Sequence, residues 1–118
     1  MTEQEYTDAI ECYVREWTNM PDEARWLVDR AVLAFPASAM IWLLHGKVYS
    51  RSQDFDDFPE TVSLKSFERA AELNPNLAEA HHEIACYYDG VNDDPEKAEP
   101  FFRRAAELRL QESTVKFV

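Results

Sequence analysis

The chain is short of the residues that make tight turns, covalent bridges and positive surface. Its 118 residues include two Gly, six Pro, two Cys and twelve Lys or Arg. Two glycines cannot furnish a hairpin-rich β architecture, whose turns need residues at positive φ. No segment alternates with period two over a strand's length, and low-complexity stretches are absent. Cys12 and Cys86 stand far apart, which excludes a disulfide framework and a closely spaced metal or redox pair. Twelve basic residues against twenty-three acidic ones give a net charge of −11. Phosphate backbones and anionic membranes repel such a surface, so neither nucleic acid nor membrane is an expected partner. A basic protein or peptide is compatible with it. No apolar run is long enough to span a bilayer. None follows the acidic start Met1–Glu5, where a signal peptide would need one, so the reading is cytoplasmic.

What is present is helix-forming and core-forming. Hydrophobic residues make up 46% of the chain and aromatic ones 13%, too much for a disordered acidic segment. One domain with a real core is the expectation at this length. Punctuation and periodicity divide it into six helices. The first runs from about Glu3 to Trp17 and is broken at Asn19-Met20-Pro21. The second, with Pro21 in its first turn, ends near Phe35. Ser38 caps a third helix that runs to about Ser52. Pro59 opens a fourth, ending near Leu73. Asn76 is the expected cap of a fifth, reaching about Tyr88. Asp94-Pro95 reads as cap and first residue of a sixth, which ends near Arg109 and is kinked or delayed by Pro100.

The helices are related to one another. Phe67-Glu68-Arg69-Ala70-Ala71-Glu72-Leu73 recurs thirty-five residues later as Phe102-Arg103-Arg104-Ala105-Ala106-Glu107-Leu108, six of seven identical. A fainter copy, Val28-Asp29-Arg30-Ala31-Val32-Leu33-Ala34, lies thirty-nine residues upstream of the first. A period in this range indicates stacked helical units, which build a surface rather than a catalytic pocket. Gly46 and Ala85 are small where paired helices would cross. Ala70 and Ala105 are small where each unit would meet the next. Trp42, Tyr49, Phe67, Tyr88 and Phe102 read as core.

The middle unit presents Trp42, His45, Gly46 and Tyr49, then Ser63, Phe67 and Pro75. The last presents His81, Ile84, Ala85 and Tyr88, then Ala98 and Phe102. The first is degenerate: Tyr6, Ala9, Ile10, Tyr13, Ala24, Val28 and Pro36. This pattern resembles the tetratricopeptide repeat family, over roughly residues 4–110. The resemblance implies an all-α fold, a right-handed α-α superhelix of about three helix-turn-helix units. Their bounds fall near 3–36, 38–75 and 76–110, with a C-terminal tail at 111–118.

In that family the first helix of each unit lines a concave face. The register then places Gln4, Thr7, Glu11 and Val14 there from the first unit. Met40, Leu43, Lys47 and Ser50 follow from the second, and Glu79, His82, Cys86 and Asp89 from the third. The expected partner contacts are Met40, Leu43, Lys47, Glu79, His82 and Asp89. With Lys47 the single basic residue, gripping a peptide's terminal carboxylate, as some members of that family do, is disfavoured. The loop Asp54-Phe55-Asp56-Asp57-Phe58-Pro59 is a second candidate contact, unless Phe55 and Phe58 fold back onto the helices beneath.

Chemistry has little footing. His82 and Cys86, four apart on one helical face, form two ligands of a metal site at most, so no metal and no cofactor is expected. There is no phosphate loop, nucleophile elbow or metalloprotease motif, and the chain is not read as an enzyme. The function expected is protein or peptide binding. A narrower reading is an acidic inhibitor, immunity-type protein or chaperone-like adaptor that sequesters a basic partner. A small metal-dependent enzyme using His82 and Cys86 is the rival. The apolar tail, with Val115, Phe117 and Val118, is expected to cover the open end of the stack, within one chain or across a homodimer.

Overall fold

The computed structural model describes residues 1–17, 20–52 and 61–116. The expected contact loop with Phe55 and Phe58, the helix start at Pro59, Asn19, Phe117 and Val118 lie outside the described residues, as does the Val115 side chain. Six α-helices follow in order: α1 (Glu3–Glu16), α2 (Asp22–Ala34), α3 (Ala39–Ser50), α4 (Thr61–Leu73), α5 (Ala78–Cys86) and α6 (Pro95–Lys116). A π turn at Tyr87–Val91 continues α5. Among the described residues there is no strand. Each helix packs on its neighbours in sequence, most extensively α3 on α4 and α5 on α6, and α1 also packs on α3.

The helix starts follow their side chains. Thr2 and Glu5 form a reciprocal capping box on α1, each satisfying a backbone N–H that the helix leaves free. That bonding to Thr2 holds the Glu5 carboxyl below its usual range. Ser38 Oγ accepts from the Ile41 N–H at α3, and Asp94 Oδ1 from the Lys97 N–H at α6. Pro21 sits one residue before α2, at its cap position. Asn76, expected to cap α5, does not: its N–H is taken by Asn74 Oδ1, and Leu77 occupies the cap position.

The two turns entering α3 and α5 are built alike. The Phe35 N–H donates to Ala31 O and the Asn74 N–H to Ala70 O. The Ser38 N–H then donates to Phe35 O, and the Leu77 N–H to Asn74 O. Trp42 Nε1–H donates to Pro36 O at 2.8 Å, and His81 Nε2 meets Pro75 O at the same distance. A carbonyl only accepts, so His81 carries its proton on Nε2. His81 thus makes in the last hairpin the bond that Trp42 makes in the middle one.

Two apolar cores lie on either side of α3. Tyr6, Ile10, Ala24, Val28, Ala31, Ile41, Leu44 and Val48 fill the first, between α1, α2 and α3. Leu43, Phe67, Ala70, Ala80, Ile84, Ala85, Tyr87, Tyr88 and Ala98 fill the second. At Gly46 the α3 backbone meets the Phe67 ring so closely that an added Cβ would lie 2.5 Å from Phe67 Cε1. Glycine is required there by space, since its φ is not positive. Among the described residues, Asp93 has a positive φ (50°), in the turn before α6, a conformation Asp tolerates better than most.

The C-terminal segment departs from expectation. In place of a tail after Arg109, α6 runs 22 residues to Lys116, about 33 Å at 1.5 Å per residue. No Gly or Pro follows Arg109 to stop it. Pro100 lies within this helix and removes one backbone bond, the one its own nitrogen would have donated to Glu96 O.

Candidate binding face

The N-terminal half of α1 and the start of α3 enclose an open groove of about 650 Å³, lined by Thr2, Glu3, Gln4, Thr7, Glu11 and Met40. Its geometry is set locally. Thr7 is buried and donates its hydroxyl back to the Glu3 carbonyl at 2.9 Å. Ser38 Oγ–H donates to Glu3 Oε1, tying the first turn of α1 to the cap of α3. Met40 is half-buried and packs against both cores, so the floor of the groove is apolar and adaptable. Glu3 and Glu11 supply negative charge at its walls, and none of its six lining residues is basic.

The six expected contact residues fall into different environments. Met40 borders the groove. Lys47 and Glu79 are joined as an ion pair that links α3 to α5, with the Lys47 side chain 15% exposed. Lys47 is therefore neutralised within the chain. His82 is half-buried, with its ring edge-on to Phe102 at 5.6 Å between centroids. Asp89 is exposed in the π turn. Leu43 is a correction: it is fully buried in the second core and cannot touch a partner. Its register faces α4 and α5, because α3 is covered on two sides and offers solvent only a narrow strip.

The His82 and Cys86 pair is close, Nε2 to Sγ 3.5 Å. Among the described residues no group of three or more His, Cys, Asp or Glu side chains is placed to hold a metal ion. Burial, with Glu83 and Asp89 nearby, pushes the Cys86 thiol up, away from the thiolate that a metal would require.

A polar cluster that the motif spacing did not announce crosses the interface of α2, α3 and α4. His45, where the resembling motif has Leu, sets Nδ1 2.7 Å from Ser66 Oγ and Nε2 3.2 Å from Asp29 Oδ1. Tyr49 OH donates to the same carboxylate at 2.8 Å, and its ring lies 4.6 Å from the His45 ring. Asp29 can only accept, so in the neutral ring Nε2 carries the proton and Nδ1 accepts from Ser66. Burial holds His45 below its usual range, partly offset by the Asp29 charge. Tyr49 is pushed up to about 12, first by burial and then by its bond to Asp29.

Serine, histidine and aspartate in contact invite comparison with a hydrolytic triad, but the arrangement is structural. Ser66 is 3% exposed, and its Oγ also lies 3.0 Å from Val62 O within α4. A nucleophile must reach its substrate, and this one is enclosed. The signal in the sequence was His45 itself, a polar ring at an apolar position. Its partners were hidden because Asp29 and Ser66 come from helices sixteen and twenty-one residues away.

Among the described residues no helix is long and apolar enough to cross a membrane. In comparisons with protein-family models and with curated proteins, the chain matches none.

Proposed function

We propose that the three hairpins are tetratricopeptide-like units wound in a right-handed superhelix, and that the chain is a binding module for a basic peptide or protein segment. The observation that carries the reading is the groove between α1 and α3, apolar at Met40 and acidic at Glu3 and Glu11. The equivalent turns at Pro36 and Pro75, with Trp42 and His81 making the same bond, support the repeat. Lys47 is held by Glu79, so it does not oppose a cationic ligand. An extended segment would lay an apolar side chain on Met40 and a Lys or Arg beside Glu3 or Glu11. Sequestration of a basic protein, as an inhibitor or adaptor would do it, uses the same face.

The test is an NMR titration of isotope-labelled protein with synthetic peptides that pair one Leu with Lys or Arg, beside acidic peptides of equal length. Amide shifts confined to α1 and the start of α3 are expected with the basic set. They should fade as salt shortens electrostatic reach to below about 10 Å, and Glu11→Lys should remove them. Shifts elsewhere, or equal binding of the acidic set, would overturn the reading.

A further inference from the structure

A second, smaller hollow adjoins the groove. It holds about 360 Å³ and is lined by Glu3, Ala34, Phe35, Pro36, Ala37 and Ser38. Glu3 lines both spaces, so they meet at its side chain. Its Oε1 accepts from Ser38 Oγ at 2.5 Å, which fixes the carboxylate at this junction. A carboxylate has a second oxygen and further lone pairs, so Glu3 can still accept from a ligand. The remaining walls are apolar. They are two alanines, a proline and the half-buried Phe35, whose ring meets Tyr6 edge-on at 6.0 Å between centroids.

An apolar trough with a carboxylate at its side suits a long cationic side chain, whose methylenes lie on the wall while its head reaches the acid. No neighbour in the chain competes for that acid. Residues 31–46, which form the end of α2, the turn and the first half of α3, contain no Asp, Glu, Lys or Arg. Arg30, just before them, holds its guanidinium over the Trp26 ring at 4.7 Å, one turn back toward the start of α2. The amino-terminal ammonium acts on Glu5, and Met1 lines neither space. The hollow also lies at the C-terminal end of α2, the negative end of its dipole, where the last turn carries no basic residue. Pro36 has no N–H, so Val32 O receives no bond from the residue four on. Glu11, two turns along α1 from Glu3, lines the groove but not the hollow.

We infer that this hollow is the cation subsite of the binding face. A Lys or Arg side chain of the bound segment enters between Glu3 and the Phe35-Pro36-Ala37 turn, next to the apolar side chain that rests on Met40. The inference rests on the groove reading and assigns the cation to Glu3 rather than to Glu11. The experiment titrates the isotope-labelled chain with acetyl-Leu-Arg-amide and with its twin carrying citrulline, which has the shape of arginine without its charge. The arginine peptide should shift the amides of Phe35, Ala37 and Ser38. It should bind about three- to fivefold more tightly than its twin, the size of a partly exposed ion pair. In Glu3→Gln and in Ala34→Lys the two peptides should bind equally. Ala34 is exposed, and the Gln amide oxygen still accepts from Ser38, so both variants should keep the helical circular dichroism of the parent. In Glu11→Gln the preference for arginine should persist. Shifts that spare residues 35–38, a preference that survives Glu3→Gln or Ala34→Lys, or one that is lost in Glu11→Gln would overturn the inference and leave the groove reading standing. Equal binding of both peptides to the parent, or no shift in α1 and the start of α3, would overturn both.

Discussion

The two near-identical heptads are a comparison the molecule makes within itself. Phe67-Glu68-Arg69-Ala70-Ala71-Glu72-Leu73 and Phe102-Arg103-Arg104-Ala105-Ala106-Glu107-Leu108 both form helix, and both bury their first alanine, Ala70 fully and Ala105 at 1% exposed. Their phenylalanines part ways, one at 2% exposure and the other at 36%. Local sequence is nearly constant across the pair, so the difference comes from surroundings. Phe67 faces a glycine and has a further hairpin beyond it, α5 and α6. Phe102 faces a hairpin whose matching position is Ala85, and no described helix follows α6. Burial here is decided by the neighbouring helices.

That contrast can be broken most forcefully at the phenylalanines themselves. Phe67→Ala should cost about 3–5 kcal/mol, the range for emptying a packed aromatic site. Phe102→Ala should cost well under half as much. Urea unfolding of the two variants side by side is the measurement. Equal losses would mean that the exposed ring is as well packed as the buried one.

The next effect sharpens the reason for the contrast. Gly46→Leu should cost about 1–3 kcal/mol through overpacking against the Phe67 ring. Adding Phe67→Leu to Gly46→Ala should recover part of the alanine variant's loss, since residues in contact couple by about 0.5–3 kcal/mol. In the last hairpin Ala85→Gly should cost about 1 kcal/mol, from helix propensity. Thermal denaturation of these four variants checks the set, and a Gly46→Leu protein as stable as the parent would refute the close approach.

A smaller, pH-dependent difference separates the two hairpins. The middle one contains the buried His45, and the last has Ile84 at the matching position. Burial depresses the His45 pKa below the ordinary 6.5, so the folded state binds fewer protons than the unfolded chain. Stability contributed by the neutral ring is present above pH 6.5 and is lost as pH falls from there through the depressed value. His45→Leu should flatten that slope in unfolding experiments between neutral and mildly acidic pH. Asp29 would still accept from Tyr49, and the Ser66 hydroxyl would turn its proton to Val62 O. At the alkaline end, the folded Tyr49 pKa of about 12 exceeds its ordinary 10, so its contribution is lost as pH rises through that interval.

The smallest effect should be identical in both copies. Arg69 pairs with Glu72 at 3.1 Å and Arg104 with Glu107 at 3.6 Å, each one helical turn apart on the surface. Arg69→Ala and Arg104→Ala should each change stability by less than about 0.5 kcal/mol. A larger loss at Arg104 alone would show that residue contributing something beyond the surface pair.

The helices, their order and most of their ends were determined by residues close together in the chain. Ser38 and Asp94 each cap a helix within three residues, and the apolar spacing needs only one turn to be read. The small residue expected where helices cross was legible at Gly46, where the Phe67 ring leaves no room for a Cβ, and Ala70, Ala85 and Ala105 are buried. Other assignments needed contacts between distant segments. Leu43 matches the register of an exposed face, yet α4 and α5 close over it. His45 gains its partners from α2 and α4, and Lys47 is neutralised by a carboxylate thirty-two residues away. The groove at Met40 exists only because α1 lies beside α3, and Phe102 is exposed only because of where α6 lies. A helix is closed by bonds four residues apart, so its sequence suffices for it. What covers its outer face is decided by side chains far away in the chain, and only the tertiary structure brings those together.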